Sequence, residues 1–241
     1  MYNLFVINLD FDKDRFNDVA KKFNDLLIKF ERVAAFYGKG FNESELSGYK
    51  KKYPQIKGLG KLGCFLSHSH IWKKIAEGEL DYGIIFEDDV HFSNDLKKFV
   101  ESEQWMPKDF DIIRLEVSTN KLLLSKSNIA FLNRKIHKLK SSSYCAGAYV
   151  MSKSCAKKMI AISPSDIKGN DKTLFDFEES VIAKNLDIYQ VCPALVIQDK
   201  YINSEVKLGY ESNIESFSGL KKLKWVIENY SYYLSFGKAL K

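Results

Sequence analysis

The feature that most constrains this chain is a short apolar run, Ile84-Ile85-Phe86, that ends in three consecutive carboxylates, Glu87-Asp88-Asp89. Apolar residues on both faces suit a central parallel strand buried on both sides. Open α/β sheets place ligands beyond the carboxyl ends of such strands. Three adjacent acids there repel one another and resist burial unless a cation or good donors offset them. If the strand geometry continues through the run, Glu87 and Asp89 point to one side and Asp88 to the other. Two side chains can then share one hard cation through oxygen. The alternative reading is a solvated acidic turn.

The surrounding chain can support such a strand. At 241 residues and 45% hydrophobic, it is long enough for one sizeable core with an appendage. Its 17 Phe and 13 Tyr argue against disorder. A formal charge of +6 is compatible with nucleic acid, an anionic membrane surface or a phosphorylated small molecule, and does not choose among them. Cys64, Cys145, Cys155 and Cys192 show no CxxC pair and no short zinc-site spacing, and sit among apolar neighbours. Buried free thiols in a reducing compartment are expected. The first ten residues lack a basic n-region and carry too short an apolar run for a signal peptide. No window approaches the roughly 18 apolar residues of a spanning helix. The expected location is cytoplasmic.

Read in order, Leu4-Phe5-Val6-Ile7 forms a first buried strand, closed by Asn8-Leu9-Asp10. Helical spacing of apolar residues runs from Asp12 to Phe30, and Val33 to Phe36 suits a second strand. This opening predicts an α/β sheet with crossover helices. Gly38 to Gly63 holds six of the 13 glycines and reads as a long loop carrying a short helix near Glu43 to Tyr53. Loops of that length in compact domains are often functional lids. Within it, Gly58-Leu59-Gly60-Lys61-Leu62-Gly63 matches the dinucleotide fingerprint, but Lys51 to Gln55 is a poor strand to precede it. A helix from Phe65 to Glu77 puts His68 on the same face as Phe65 and Trp72, as a ligand contact or a hydrogen-bonded core residue.

Further on, a helix near Asn94 to Ser102 has Asn94 as candidate cap. Phe110 to Glu116 reads as a strand that brings Glu116 to the same edge as the acidic run, or into an ion pair near Arg114. Lys121 to Lys140 reads as strand and loop with a basic surface. Ala146 to Ser152 is a small-residue strand in which Gly147 lets something approach the backbone closely. A helix follows from Lys153 to Ala161, then a polar loop to Lys172 and a helix to about Asn185. Gly219 to Lys241 carries five lysines against one glutamate, interleaved with aromatics. That pattern suits a basic helix on an anionic membrane surface, or a terminal helix packed on the domain. The expected division is a domain over 1–205 and a basic C-terminal helical appendage over 206–241.

Several of these motifs occur together in an order that resembles glycosyltransferase family 25, the lipooligosaccharide galactosyl- and glucosyltransferases of Gram-negative bacteria. The residues are Gly63-Cys64-Phe65-Leu66-Ser67-His68, Ile71-Trp72-Lys73 and Ile85 to Val90. With them go Val6-Ile7-Asn8-Leu9 with Arg15, Phe110 to Glu116, Gly147-Ala148-Tyr149 with Ser152, and Pro193-Ala194-Leu195 with Gln198. The resemblance covers most of the first 200 residues and implies a GT-A-like, Rossmann-like, mostly parallel sheet flanked by helices. It also implies inverting transfer of a hexose, galactose before glucose, from a UDP-sugar to a lipooligosaccharide core at the inner face of the inner membrane. Glu87-Asp88-Asp89 would be the counterpart of that fold's metal-binding motif. Asp171 looks like the acidic residue that the family carries after a small loop, usually within Pro-Val-Asp, although here Gly169-Asn170 precede it.

The chemistry of the residues agrees. A divalent ion, Mn²⁺ or Mg²⁺, on Glu87 and Asp89 would offset charge growing on UDP. Asn8, Arg15, His68, Glu87 and Asp88 are the candidate donor-binding residues, with Arg15 toward the phosphates or in an ion pair. A separate carboxylate must take the acceptor proton. Asp171 is the expected base, with Glu116 and Asp176 as rivals, and Asp176 or Glu178 could replace Asp171 as the match to the family's acidic residue. A glycoside hydrolase with paired carboxylates is the alternative enzyme. A basic nucleic-acid-binding protein is the more distant one, since the lysines are scattered and no recognised motif appears.

Overall fold

The computed structural model describes residues 2–117 and 120–201. Its centre is an eight-stranded sheet. The first half contributes β1 (Leu4–Asn8), α1 (Lys13–Asp25), β2 (Glu31–Ala34), α2 (Glu43–Lys52), α3 (Leu59–Glu77), β3 (Tyr82–Glu87), β4 (Val90–Phe92) and α4 (Leu96–Glu101). The second half adds β5 (Ile112–Arg114), β6 (Ile129–Phe131), β7 (Arg134–Lys138), β8 (Ala148–Ser152), α5 (Lys153–Ile160), α6 (Asn170–Phe175), β9 (Ile188–Cys192) and β10 (Val196–Gln198). The strand order is β2-β1-β3-β8-β5-β9-β7-β6, with β10 and β4 paired separately.

β1 pairs in parallel with β2 and β3, and β5 with β9. β8 runs against both β3 and β5, and β7 against β9 and β6. Most strands therefore point one way, and β8 is the central exception. The expected α/β, Rossmann-like, mostly parallel architecture is present. Its carboxyl edge gathers the ends of β1, β2, β3 and β5.

Why the strands read as unbroken apolar runs is now plain. Phe5, Ile7, Ile85, Tyr149 and Met151 face one layer, with α3, α5 and α6. Leu4, Val6, Ile84, Phe86 and Val150 face the other, with Val19 and Phe23 of α1 and Phe99 of α4. Both faces are covered, so alternation along a strand only assigns residues to layers.

The structure corrects several boundaries. The first helix stops at Asp25, short of Phe30, because Leu27 takes a left-handed φ of 55°. Ile28 N–H then bonds back to Phe23 C=O at 3.0 Å and Leu27 N–H to Asn24 C=O at 2.9 Å, which closes the helix in a Schellman turn. The second strand begins at Glu31 accordingly. The fourth helix starts at Leu96 after Asp95, so Asn94 is not its cap. The helix expected to reach Asn185 ends at Phe175. There the Asp176 carboxylate accepts the N–H groups of Glu178 and Glu179, both at 3.0 Å, and turns the chain.

The glycine fingerprint is not preceded by a strand. Its residues open α3: Gly58 caps the helix with a φ of 101° and open space around it, whereas Gly63 is small for packing reasons. A Cβ on Gly63 would stand 2.3 Å from Phe36 O, and one on Gly38 would stand 1.8 Å from Leu59 O. Two backbones cross there with no room for side chains. The four cysteines are free, with Cys155 buried and the others partly so. Among the described residues no helix is long and apolar enough to cross a membrane. The basic appendage, 206–241, lies outside the described residues.

Candidate active site

The carboxyl edge of the sheet opens into a cleft of about 410 Å³. Its walls come from the ends of β1 and β2, the start of α3, the turn after β3, the residues before β8, the start of α6 and the end of β10. Asn8, Arg15, His68, Glu87, Asp88, Asp89 and Asp171, assembled from distant parts of the sequence, all line it.

Strand geometry does not run through the acids: β3 ends at Glu87, and Asp88-Asp89 form the turn into β4. Glu87 and Asp89 both face Gln198, whose Nε2 donates to Glu87 Oε2 at 2.8 Å and to Asp89 Oδ1 at 3.4 Å. Asp88 turns the other way. It accepts from Asn8 Nδ2 at 2.7 Å and pairs with the Arg15 guanidinium at 2.5 Å. Arg15 also reaches Asp89 at 3.4 Å. Asn8 in turn accepts from Arg32 at 2.9 Å. Asn8 and Arg15 therefore brace the acids, with Arg15 in a buried ion pair while still lining the cleft.

Burial strains these charges. It pushes the Asp88 carboxyl up to about 7 despite Arg15. It also raises Asp89, and the neighbouring charge of Glu87 adds to that. Glu87 goes the other way: burial opposes its ionisation, but the hydrogen bond and charge of His68, then Lys200 and Arg15, outweigh it. Lys200 is itself held charged, because Cys145 and the carboxylates of Asp89, Glu87 and Glu116 overcome its burial. Acids that stay under-compensated beside an arginine and a lysine form an oxygen set that fits a hard divalent cation. Glu87 and Asp89 would hold it, since Asp88 is turned away.

His68 sits fully buried between two partners. Trp72 Nε1–H donates to Tyr149 Oη at 2.8 Å, and Tyr149 Oη meets His68 Nδ1 at 2.9 Å. The simplest assignment has Tyr149 donating to Nδ1 and His68 Nε2–H donating to Glu87 Oε1 at 3.1 Å. Cys64, one turn earlier on α3, places Sγ 3.7 Å from the same oxygen. Ligand atoms of Cys64, His68 and Glu87 lie within 4.8 Å of one another, the one such cluster of metal-ligand type among the described residues. His68 is thus the hydrogen-bonded core residue of the two readings, and it also lines the cleft.

Glu116 is placed differently from the expectation that it joins the cleft. It is 1% exposed, does not line the cleft, and accepts the Gly147 N–H through Oε2 at 2.6 Å. It braces the start of β8. Asp176 caps a turn, and Glu178 follows it outside the cleft lining. Asp171 alone of the proposed bases lies in the cleft, in the first turn of α6. Its charge is felt at the Cys64 thiol, which burial and the nearby carboxylates push well up. Gly147 makes the predicted close approach: a Cβ there would meet the Gln198 side chain at 3.0 Å.

Sequence reasoning gave no role to Gln198, Cys64, Lys200 or Asn170, all in the cleft wall. Cys64 could have been found from its spacing of four to His68 on one helix. Gln198 was marked only as a residue of the resemblance, and Lys200 and Asn170 carry no local signal.

Residues 1–173 match the family model for glycosyltransferase family 25 (LPS biosynthesis protein). The chain belongs to glycosyltransferase family 25. The lipooligosaccharide biosynthesis protein lex-1 of Haemophilus influenzae is 30% identical over 179 residues, covering 68% of this chain and 59% of that protein. The lacto-N-neotetraose biosynthesis glycosyltransferase LgtE of Neisseria meningitidis serogroup B is 29% identical over 160 residues, covering 61% and 56%. Procollagen galactosyltransferase 1-A of Xenopus laevis is 26% identical over 238 residues, covering 88% and 38%. The matched part is thus under two thirds of each of these relatives. Membership in a family of transferases displaces the hydrolase and nucleic-acid readings.

Proposed function

We propose that this chain is a metal-dependent, inverting glycosyltransferase that moves a hexose, galactose before glucose, from a UDP-sugar to a lipooligosaccharide core acceptor. The observation that carries the reading is the Glu87/Asp89 pair, held by Gln198 at the mouth of the sheet in the same cleft as Asp171. Lipooligosaccharide and galactosyl transfer are what the names of the bacterial and procollagen relatives describe.

In this mechanism Asp171 takes the proton of the acceptor hydroxyl. The oxygen attacks C1 of the hexose from the face opposite the diphosphate. The C1–O bond breaks, UDP departs with its electron pair, and configuration at C1 inverts. A divalent ion held by Glu87 and Asp89 would supply the Lewis-acid stabilisation of that departing charge. Lys200 adds a fixed positive charge beside the same carboxylates. Asn8 and Arg15 hold Asp88 in place, free to meet ribose or donor hydroxyls. The lysines over 206–241, with their aromatics, are the proposed contact to an anionic inner-membrane surface.

Thermal unfolding with a panel of nucleotides and nucleotide-sugars, with and without Mn²⁺, tests this. Binding to the folded state raises the melting temperature by mass action. A Mn²⁺-dependent rise with UDP, largest for UDP-galactose, is expected. No response to any UDP compound would overturn the assignment.

A further inference from the structure

Asn170 opens α6 directly before Asp171 and lines the cleft. It is 5% exposed, yet neither its Nδ2 nor its Oδ1 has a hydrogen-bond partner among the described residues. Burying a carboxamide with both functions unmet is costly, and native structures rarely tolerate it without a reason. Its neighbours do not meet the need. Gly169 before it takes φ 108° and has nothing near a would-be Cβ. Lys168 and Lys172 on either side turn to Glu179, at 2.8 Å through its carbonyl and 3.2 Å through its carboxylate.

The chemistry of a carboxamide narrows the ligand. A phosphate would use only the amide N–H groups, and a cation only the oxygen. A group that is donor and acceptor at once satisfies both, as sugar hydroxyls do and as the edge of a uracil base also does, which is why the test separates UDP from UDP-hexose. Position agrees with this. α6 packs against α3, and the charge of Asp171 reaches Cys64, whose Sγ stands 3.7 Å from Glu87 Oε1. Asn170 therefore lines the same cleft as Asp171, Glu87 and Asp89, where the hexose of a bound donor would lie.

We infer that Asn170 is a donor-sugar subsite, its carboxamide reading a hydroxyl of the transferred hexose and setting donor preference. This rests on the transferase reading above. A site built to bond a hydroxyl rejects a ligand that lacks one strongly, because its own polar groups are then left unpaired.

The test is Asn170→Leu, with Asn170→Ala as a second variant that adds no bulk. Melting is measured for the metal-free protein, then with Mn²⁺ plus UDP, UDP-galactose or UDP-glucose. Both variants should melt no lower than wild type without ligand, since no bond is lost. They should keep the UDP response and lose the additional UDP-hexose response, with UDP-hexose affinity falling at least tenfold relative to UDP. Three outcomes overturn the inference. Marked destabilisation of both variants would make Asn170 structural. An unchanged hexose preference would make it irrelevant. Equal loss of UDP and UDP-hexose binding would mean it reads the nucleotide. Failure of the transferase reading is separate and visible in the wild type alone, as no response to any UDP compound.

Discussion

Gln198 Nε2 lies 2.8 Å from Glu87 Oε2, across 111 residues of sequence, and the same nitrogen stands 3.4 Å from Asp89 Oδ1. One neutral amide thus aims two carboxylates at a common point. Groups that orient ligands in this way typically matter roughly ten- to a hundredfold to metal affinity. Gln198→Leu should weaken Mn²⁺ binding by that order while the protein still folds, measured by calorimetric titration. Wild-type affinity would show that the carboxylates hold their positions unaided.

Asp89→Asn removes one oxygen anion from the pair but keeps the shape. Metal-stimulated transfer should disappear, while the metal-free protein melts no lower than wild type, because one of several crowded charges is gone. Wild-type activity in this variant would sink the metal assignment. Turnover against Mn²⁺ concentration gives the readout.

For Asp171→Asn the expectation is a split between chemistry and binding. The turnover number should drop about a hundred- to ten-thousandfold, the usual contribution of a general base. The Mn²⁺-dependent melting shift with UDP should persist. A small loss of turnover would move the base elsewhere.

Gly63 faces the carbonyl of Phe36 so closely that an added methyl would stand 2.3 Å from that oxygen. Gly63→Ala should cost about 1–3 kcal/mol, as overpacking usually does. At about 2–4 °C per kcal/mol for a domain of this size, the drop is measurable by calorimetry. An unchanged melting temperature would mean that the crossing of these backbones relaxes freely.

Glu116 predicts a pH signature. Burial pushes its carboxyl up to about 8 against the pull of Arg114. The folded protein then holds a proton there that the unfolded chain gives up near 4.5. The stabilising contribution is full below that lower value and is lost as pH rises through about 8. Glu116→Gln has no such proton to lose. In metal-free buffer its stability should fall less than that of the wild type between those two values, measured by denaturant unfolding. Parallel pH profiles would disprove the shift.

What was legible followed from local periodicity. The Ile84-Ile85-Phe86 run announced a strand covered on both faces, but that strand stops at Glu87, and a turn, not alternation, sets Asp88 apart from Glu87 and Asp89. Helical spacing put His68 on a buried face, where it meets Tyr149 and Glu87. Leu27 was not legible, because leucine rarely adopts the left-handed backbone on which the first helix ends. Gln198 was marked only by the resemblance, and its contact with Glu87 and Asp89 depends on β10 pairing with β4 in one register. Asn170 was hidden for a different reason: an unmet hydrogen bond is a property of the surroundings, not of the residue. Glu116 shows the reverse error. Its position after β5 was foreseen, but a backbone N–H from Gly147 claims it.

The reversed strand β8 also sets the order in which this molecule can be completed during synthesis. β3 and β5 both leave the ribosome before it, and neither has the strand it pairs with on that side until β8 follows. In that interval Ile84, Ile85 and Phe86 form an open, apolar strand edge of the kind that invites association with other chains. Gln198 arrives later still. A growing chain therefore displays its acidic residues well before it has the amide that aims them, and its window of greatest exposure to misassembly closes only once residues near 152 have emerged.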